Sequence, residues 1–248
     1  MSFEFLAPDA TEPRDGVTPS LRSPIEWAHR DAGASFGERD GWRVVESFGA
    51  PEEEAAACRE AVGIADLSQL GKLELQAQPG EVASIVAELA GGAVLELGLA
   101  ALHDGVWWCP VTAERVLAVT PPERTAALRE RLEEAASGLA LGSVTELTGA
   151  YGSNAVVGPL AREAFARTTA LDLRPESFGE RAFSPVSVGR TPGMILREGG
   201  DRFLHLFGSG YAQYMWTAFV DAAESLGGRA VGIEALDAAP GGEVEARA

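Results

Sequence analysis

The stretch PEEEAAACREAVGIADLSQLGKLELQA, residues 51–77, decides the fold. It opens on Pro51 with Glu52, Glu53 and Glu54, which suit the positive end of a helix dipole, and runs through alanines to a stop at Gly63. Two extended segments follow at once. GIADLS (63–68) is the first, and KLELQA (72–77) alternates apolar and polar residues as a half-buried strand does. The same kind of succession recurs along the chain, with strands and helices in a strand–helix–strand–strand–helix order. That order predicts an α+β fold with mixed sheets rather than a doubly wound parallel one.

Toward the N-terminus, GWRVVESFG reads as a strand, and SPIEWAHRDAGA reads as a helix with Ser23 as its N-cap and Pro24 at its first position. Residues 1–22 lack periodicity and read as a poorly ordered arm. Toward the C-terminus come a helix near Gly80–Leu89, a hairpin of GVWWCPV and ERVLAVT, and the long helix PPERTAALRERLEEAAS. A second round follows: the strand GSNAVVG, a helix from Pro159, a Pro- and Gly-punctuated loop, the strands PGMILRE and DRFLHLF, and the helix GYAQYMWTAFVDAAESLG. The expected organisation is two related halves, 23–142 and 143–237, with a frayed tail over 238–248.

The chain has 248 residues, 46% of them hydrophobic and 23% charged, and a formal net charge of −17. Such a surface repels phosphate backbones and anionic membranes, so nucleic acid is not an expected partner. No apolar run approaches the roughly 20 residues that span a bilayer, and the N-terminus lacks the charge and apolar pattern of a signal peptide, which points to the cytoplasm. The two cysteines, Cys58 and Cys109, are too few for a disulfide framework or a zinc site and read as buried thiols. No metal-ligand spacing, phosphate loop or dinucleotide fingerprint is present.

EWAHRDAGASFGERDGWRVV (26–45) and EEEAAACREAVGIADLSQLGKLEL (52–75) resemble the amino-terminal signature of the glycine-cleavage T-protein, or aminomethyltransferase, family. There, Arg-Glu-x-x-Gly at a helix end precedes Asp-x-Ser-x-x-Gly-Lys, as Arg59 to Lys72 do here. NAVVGPLAREAFARTTALDL (154–173) and ILREGGDRFLHLF (195–207) are similar to later family segments. The resemblance implies two α+β half-domains that exchange strands around a central channel, with tetrahydrofolate or another flat heterocycle as ligand. It also implies a lipoyl carrier protein or oxidase subunits as partners. Residues carried over as ligand-binding are Gln69, Leu70, Trp107, Trp108, Arg197 and Leu204; no metal is implied.

Several family positions differ. In HDGVWWCPVT (103–112), Trp107 and Trp108 stand where the resemblance puts an acidic pair, and the nearest carboxylate, Asp104, is either catalytic or one half of an Asp-Gly turn. The family's pterin-binding glutamate matches Leu204, which cannot accept a hydrogen bond, so each pterin donor left unpaired would lose about 1–3 kcal/mol. Arg197 matches a family arginine, but a salt bridge with Glu198 explains it equally well. Gln69 and Leu70 replace His-Met, and Leu for Met preserves an apolar wall of similar volume.

Trp107 and Trp108, adjacent in a strand, must face opposite sides, so one of them is available to a channel. Tyr211, Tyr214 and Trp216 recur at helical spacing and read as core; His29 and His205 read as satisfied structural histidines. Two functions remain open. One is a tetrahydrofolate-binding, aminomethyltransferase-like protein that has lost catalytic carboxylates. The other is a non-catalytic chain resembling the gamma subunit of heterotetrameric sarcosine oxidase.

Overall fold

A computed structural model describes residues 20–238. The arm expected over 1–22 therefore lies outside the described residues up to position 19, and the tail does so from 239; within the arm, Leu21–Arg22 form a short strand, β1. It pairs parallel with β3 (Trp42–Ser47), which pairs antiparallel with β2 (Ser35–Arg39) across the turn at Asp40 and Gly41. Helix α1 (Glu26–Asp31) precedes β2. Ser23 is not its N-cap: the cap residue is Ile25, and the Ser23 hydroxyl bonds Asp66 instead.

Helix α2 (Pro51–Glu60) and strands β4 (Gly63–Asp66) and β5 (Gly71–Ala77) confirm the reading of the opening stretch. Then come α3 (Pro79–Leu89), the meander β6 (Ala101–His103), β7 (Val106–Thr112) and β8 (Arg115–Thr120), helix α4 (Thr125–Ala136) and β9 (Gly142–Glu146). The series repeats as β10 (Tyr151–Val157), α5 (Ala161–Ala166), β11 (Phe183–Val188), β12 (Thr191–Gly199), β13 (Arg202–Gly208), α6 (Ala212–Glu224) and β14 (Arg229–Ala230), with α7 (Ile233–Asp237) after it.

Besides the three-stranded sheet β1-β3-β2, two larger sheets result, with strand orders β6-β7-β8-β5-β9 and β11-β12-β13-β10-β4-β14. Each is a three-strand meander joined to the strand that opens its own series. Beyond it lies the strand that precedes the opposite crossing: β4, which leads into β5, runs antiparallel to β10, and β9, which leads into β10, runs antiparallel to β5. The halves have exchanged strands.

Apolar side chains hold the sheets in four layers. Ile64, Val156, Ile195, Phe203 and Phe207 of the six-stranded sheet pack on Phe165 of α5 and on Met215, Trp216 and Phe219 of α6. Leu73, Leu75, Trp108 and Val116 of the five-stranded sheet pack on α3 and α4 through Val82, Val86, Leu128 and Leu132. Between the sheets, Ala65, Ala155, Leu196, Leu204 and Leu206 meet Trp107, Cys109, Leu117 and Val119. Each such large side chain contributes about 1.5–3 kcal/mol on burial.

Candidate functional site

The chain crosses between the sheets twice, at Leu67–Leu70 and at Leu147–Ala150, and the two crossings share one hydrogen-bond plan. Leu67 N–H donates to Ser153 O at 2.8 Å, and Leu147 N–H donates to Lys72 O at 2.7 Å. The Ser68 hydroxyl accepts from Ser153 N–H at 3.3 Å, and the Thr148 hydroxyl accepts from Lys72 N–H at 3.2 Å. Leu70 N–H and Ala150 N–H each turn back at 3.0 Å, to Leu67 O and Leu147 O respectively. Gly71 ends the first crossing where a β-carbon would lie 2.0 Å from Thr125 Oγ1 and 2.8 Å from Thr120 Cγ2.

Chemistry is confined to the first crossing. Asp66 is buried and collects three donors: the Ser23 hydroxyl, His29 Nε2 at 2.8 Å and Ser68 N–H at 2.9 Å. Burial alone would raise its pKa, but the bonds from His29, Ser23 and Ser68 prevail and hold the carboxyl below the ordinary value of 3.8. Serine and histidine both bond the aspartate, so this is a carboxylate hub and not a nucleophile–base relay. Lys72, fully buried, donates from Nζ to Ser68 O at 2.9 Å. Burial pushes its ammonium down to about 7, against the opposing pull of Asp66. A cavity of about 10 Å³, the room of about one water, lies beside Ser23, His29, Asp66 and Gln69.

Lys72, Val119 and Trp107 stand in register across β5, β8 and β7, on the face turned to the other sheet. Trp107 and Leu204 belong to the cluster between the sheets, and Leu70 packs against it. Gln69 lines the small cavity beside them. The other carried-over residues lie elsewhere. Trp108 points to α3 and α4. Arg197 is in register with Phe203, on the helix-covered face, and donates to Gly200 O at 2.9 Å and Phe178 O at 3.0 Å; Glu198 pairs instead with Arg202 at 2.9 Å. Arg197 is therefore bound to backbone carbonyls rather than to Glu198. Asp104 is exposed in a turn with Gly105, its φ is +47°, and Arg124 holds its carboxylate at 3.0 Å.

Sequence reasoning passed over Lys72 because KLELQA alternates like a strand with one wet face; the polar face here turns toward a second sheet, and Lys72 has no exposed surface. Composition held a usable signal: of the 20 Lys and Arg side chains, Lys72 is the one lysine. The histidine expectation divides. His29 is paired, whereas His205 is fully buried with neither ring nitrogen bonded. Tyr211 and Tyr214, expected in the core, are half exposed, and of the three aromatics only Trp216 is buried.

A fold of two strand-exchanged α+β halves, with its polar centre at the crossing, defines a class. The chain belongs to the GCVT N-terminal domain family, whose model matches residues 25–239. An aminomethyltransferase of Mycobacterium tuberculosis is 28% identical over 233 residues, covering 88% of this chain and 61% of that relative. A probable aminomethyltransferase of Halobacterium salinarum is 42% identical over 59 residues, 24% of this chain. The chain thus spans about 61% of the length of the mycobacterial relative. Among solved structures, the glycine cleavage system aminomethyltransferase T of Bartonella henselae superposes with a TM-score of 0.73 at 19% identity, over 86% of this chain and 60% of that one. A chain of the heterotetrameric sarcosine oxidase of Corynebacterium sp. U-96 superposes with a TM-score of 0.63 at 21% identity, over 71% of this chain and 92% of that one. Among the described residues no helix is long and apolar enough to cross a membrane, and no group of three or more His, Cys, Asp or Glu could hold a metal.

Proposed function

We propose that this chain is an aminomethyltransferase-like protein of cytoplasmic one-carbon metabolism that takes tetrahydrofolate or a similar flat heterocycle between its sheets and has diverged from the transferase reaction. The observation that carries this reading is that Trp107 and Leu204 belong to the one apolar cluster between the sheets and Leu70 packs against it, while Asp104 is held outside by Arg124. Trp107 and Leu204 are buried in that cluster, so a flat ring would reach an indole and an aliphatic wall only by parting the sheets, and it would not meet the two carboxylates that the family resemblance assigns to this place. Leu204 leaves pterin donors unpaired, so affinity should be weak, by about 1–3 kcal/mol per group. Titration of the full chain with tetrahydrofolate, followed by tryptophan fluorescence, tests the reading. Saturable quenching lost in Trp107→Leu is the expected result, and a flat titration would refute it.

Length favours a second reading. The sarcosine oxidase chain is matched over 92% of its extent, whereas the aminomethyltransferases are matched over about 60%. In this reading the chain is a non-catalytic subunit of an oxidase assembly and binds no folate alone. Native co-purification of oxidase subunits with the tagged chain supports it, and a lipoyl carrier protein in their place supports the first.

A further inference from the structure

Helix α6 buries Met215, Trp216 and Phe219 against the six-stranded sheet, and its flank of Tyr214, Ala218, Asp221 and Ala222 forms one wall of a cavity of about 480 Å³. Those four positions, at i, i+4, i+7 and i+8, share one stripe of the helix. The two-residue turn Gly189–Arg190 between β11 and β12 forms a second wall, and Arg167 and Thr168, just after α5, form the third.

The three walls are fastened to one another. Gly189 N–H donates to Thr168 O at 2.7 Å, and the Thr169 hydroxyl donates to Ser187 O at 2.8 Å, so the hairpin turn is tied to the chain that follows α5. A β-carbon on Gly189 would lie 2.8 Å from Met215 Cε and 3.1 Å from Tyr214 Cε1, so the same turn sits close against α6. Arg190 has a φ of +63°, a conformation that glycine adopts without steric cost and that an arginine does not.

The charges on these walls are unmatched. Arg167, Arg190 and Asp221 all line the cavity, and none of the three forms an ion pair among the described residues. Arg167 is bonded instead to the Ser225 hydroxyl, which occupies one of its five donors. On a chain of net charge −17, two guanidinium groups and one carboxylate thus face a common space, with a surplus of one positive charge. Guanidinium groups recognise carboxylates, and a carboxylate recognises an ammonium. A simple anion would be repelled by Asp221 and a simple cation by the arginines. Two carboxylates and one ammonium on the same ligand answer all three.

We propose that this cavity binds an amino dicarboxylate of glutamate's class, with its carboxylates on Arg167 and Arg190, its ammonium on Asp221 and its methylenes against Tyr214 and Ala218. The volume lies within the range of about 300–1,000 Å³ usual for small-molecule sites.

The test is equilibrium dialysis of the full chain against labelled glutamate at low salt, with glutarate, which lacks the ammonium, as competitor. The expected result is saturable binding of glutamate at least about tenfold tighter than that of glutarate. Arg190→Gln should weaken glutamate at least about tenfold, and Asp221→Asn should bring glutamate down to the level of glutarate. Absence of saturable binding up to about 1 mM glutamate would overturn the proposal, as would glutarate binding as tightly as glutamate or affinity unchanged in Arg190→Gln. Both substituted side chains are exposed, and the comparison of the two ligands on the wild-type chain needs no variant. Glutamate carries no flat ring, so the outcome is separate from the folate reading.

Discussion

His29 Nε2 lies 2.8 Å from Asp66 Oδ2 in the interior, which ties α1 to the exchanged strand β4. Because Asp66 also takes the Ser23 hydroxyl and the Ser68 amide, one carboxylate joins the N-terminal segment, the sheet and the crossing. Asp66→Asn removes the charge and offers a donor where three donors already converge. Its expected effect is a loss of about 3 kcal/mol, the usual result of breaking a buried pair from one side. Urea denaturation monitored by circular dichroism measures it, and a loss well under about 1 kcal/mol would show that the hub contributes little.

The two crossings predict a matched pair of responses. Ser68→Ala and Thr148→Val each remove a hydroxyl that accepts a backbone amide of the opposite sheet, from Ser153 and Lys72 respectively. Each should lower stability by about 1 kcal/mol. If Thr148→Val is silent while Ser68→Ala is severe, the duplicated plan is geometric but not energetic.

Elements with a clean apolar period were legible in the sequence: α2, β5, α4, β10 and α6 fall where the patterns put them. Strand β9, on which the exchange depends, was not. Its residues GSVTE have one half-buried side chain, and an edge strand with so little burial carries no period to read. Strand β11, FSPVSV, was hidden by Pro185, which normally argues against a strand. The site was legible only in part. Trp107 and Leu204 share the cluster between the sheets, Leu70 packs against it and Gln69 lines the small cavity, but Lys72 and the bonds of Ser23, His29 and Asp66 arise from residues up to 43 positions apart, and local spacing cannot register them.

Acid stability should depend on His205. Burial pushes its imidazole from 6.5 down to about 3, and Phe165, Phe207 and Phe219 surround the ring. Below pH 6.5 the unfolded chain binds a proton that the folded chain refuses, so stability is full above 6.5 and falls as pH drops toward about 3. Asp66 adds its own loss only as pH falls below its ordinary 3.8, through a folded pKa that lies lower still. Between those two values His205→Leu should flatten the slope, and relief of two unbonded nitrogens should stabilise the fold by about 1–3 kcal/mol. Denaturation midpoints at a series of pH values decide this; an unchanged slope in the variant would assign the acid sensitivity elsewhere.

Gly232 is held by a different constraint. Its amide donates to Glu54 Oε2 at 2.8 Å, while Oε1 of the same carboxylate accepts from the Ser47 hydroxyl at 2.7 Å and from Phe48 N–H at 2.8 Å. This docks α7 against β3 and α2. A β-carbon on Gly232 would lie 1.9 Å from Glu46 O, which is backbone and cannot rotate away. Gly232→Ala should therefore lower stability by about 3 kcal/mol, the upper range for overpacking. A fully stable variant would mean that α7 shifts freely, which its buried Ile233 and Leu236 argue against.

Adjacent tryptophans on opposite faces of β7 allow a ligand role to be separated from a packing role in one comparison. Trp108 is 1% exposed among the side chains of α3 and α4, so Trp108→Leu should destabilise the chain by about 2–4 kcal/mol without entering the space between the sheets. Trp107 lies with Leu204 and Leu196 in the apolar cluster between the sheets. If the space is a ligand site, Trp107→Leu should weaken tetrahydrofolate binding at least about tenfold, while Trp108→Leu, assayed below its own melting range, should leave it unchanged. Equal stability losses with no difference in binding would mean that both indoles are core, with the ligand's former place filled by Trp107.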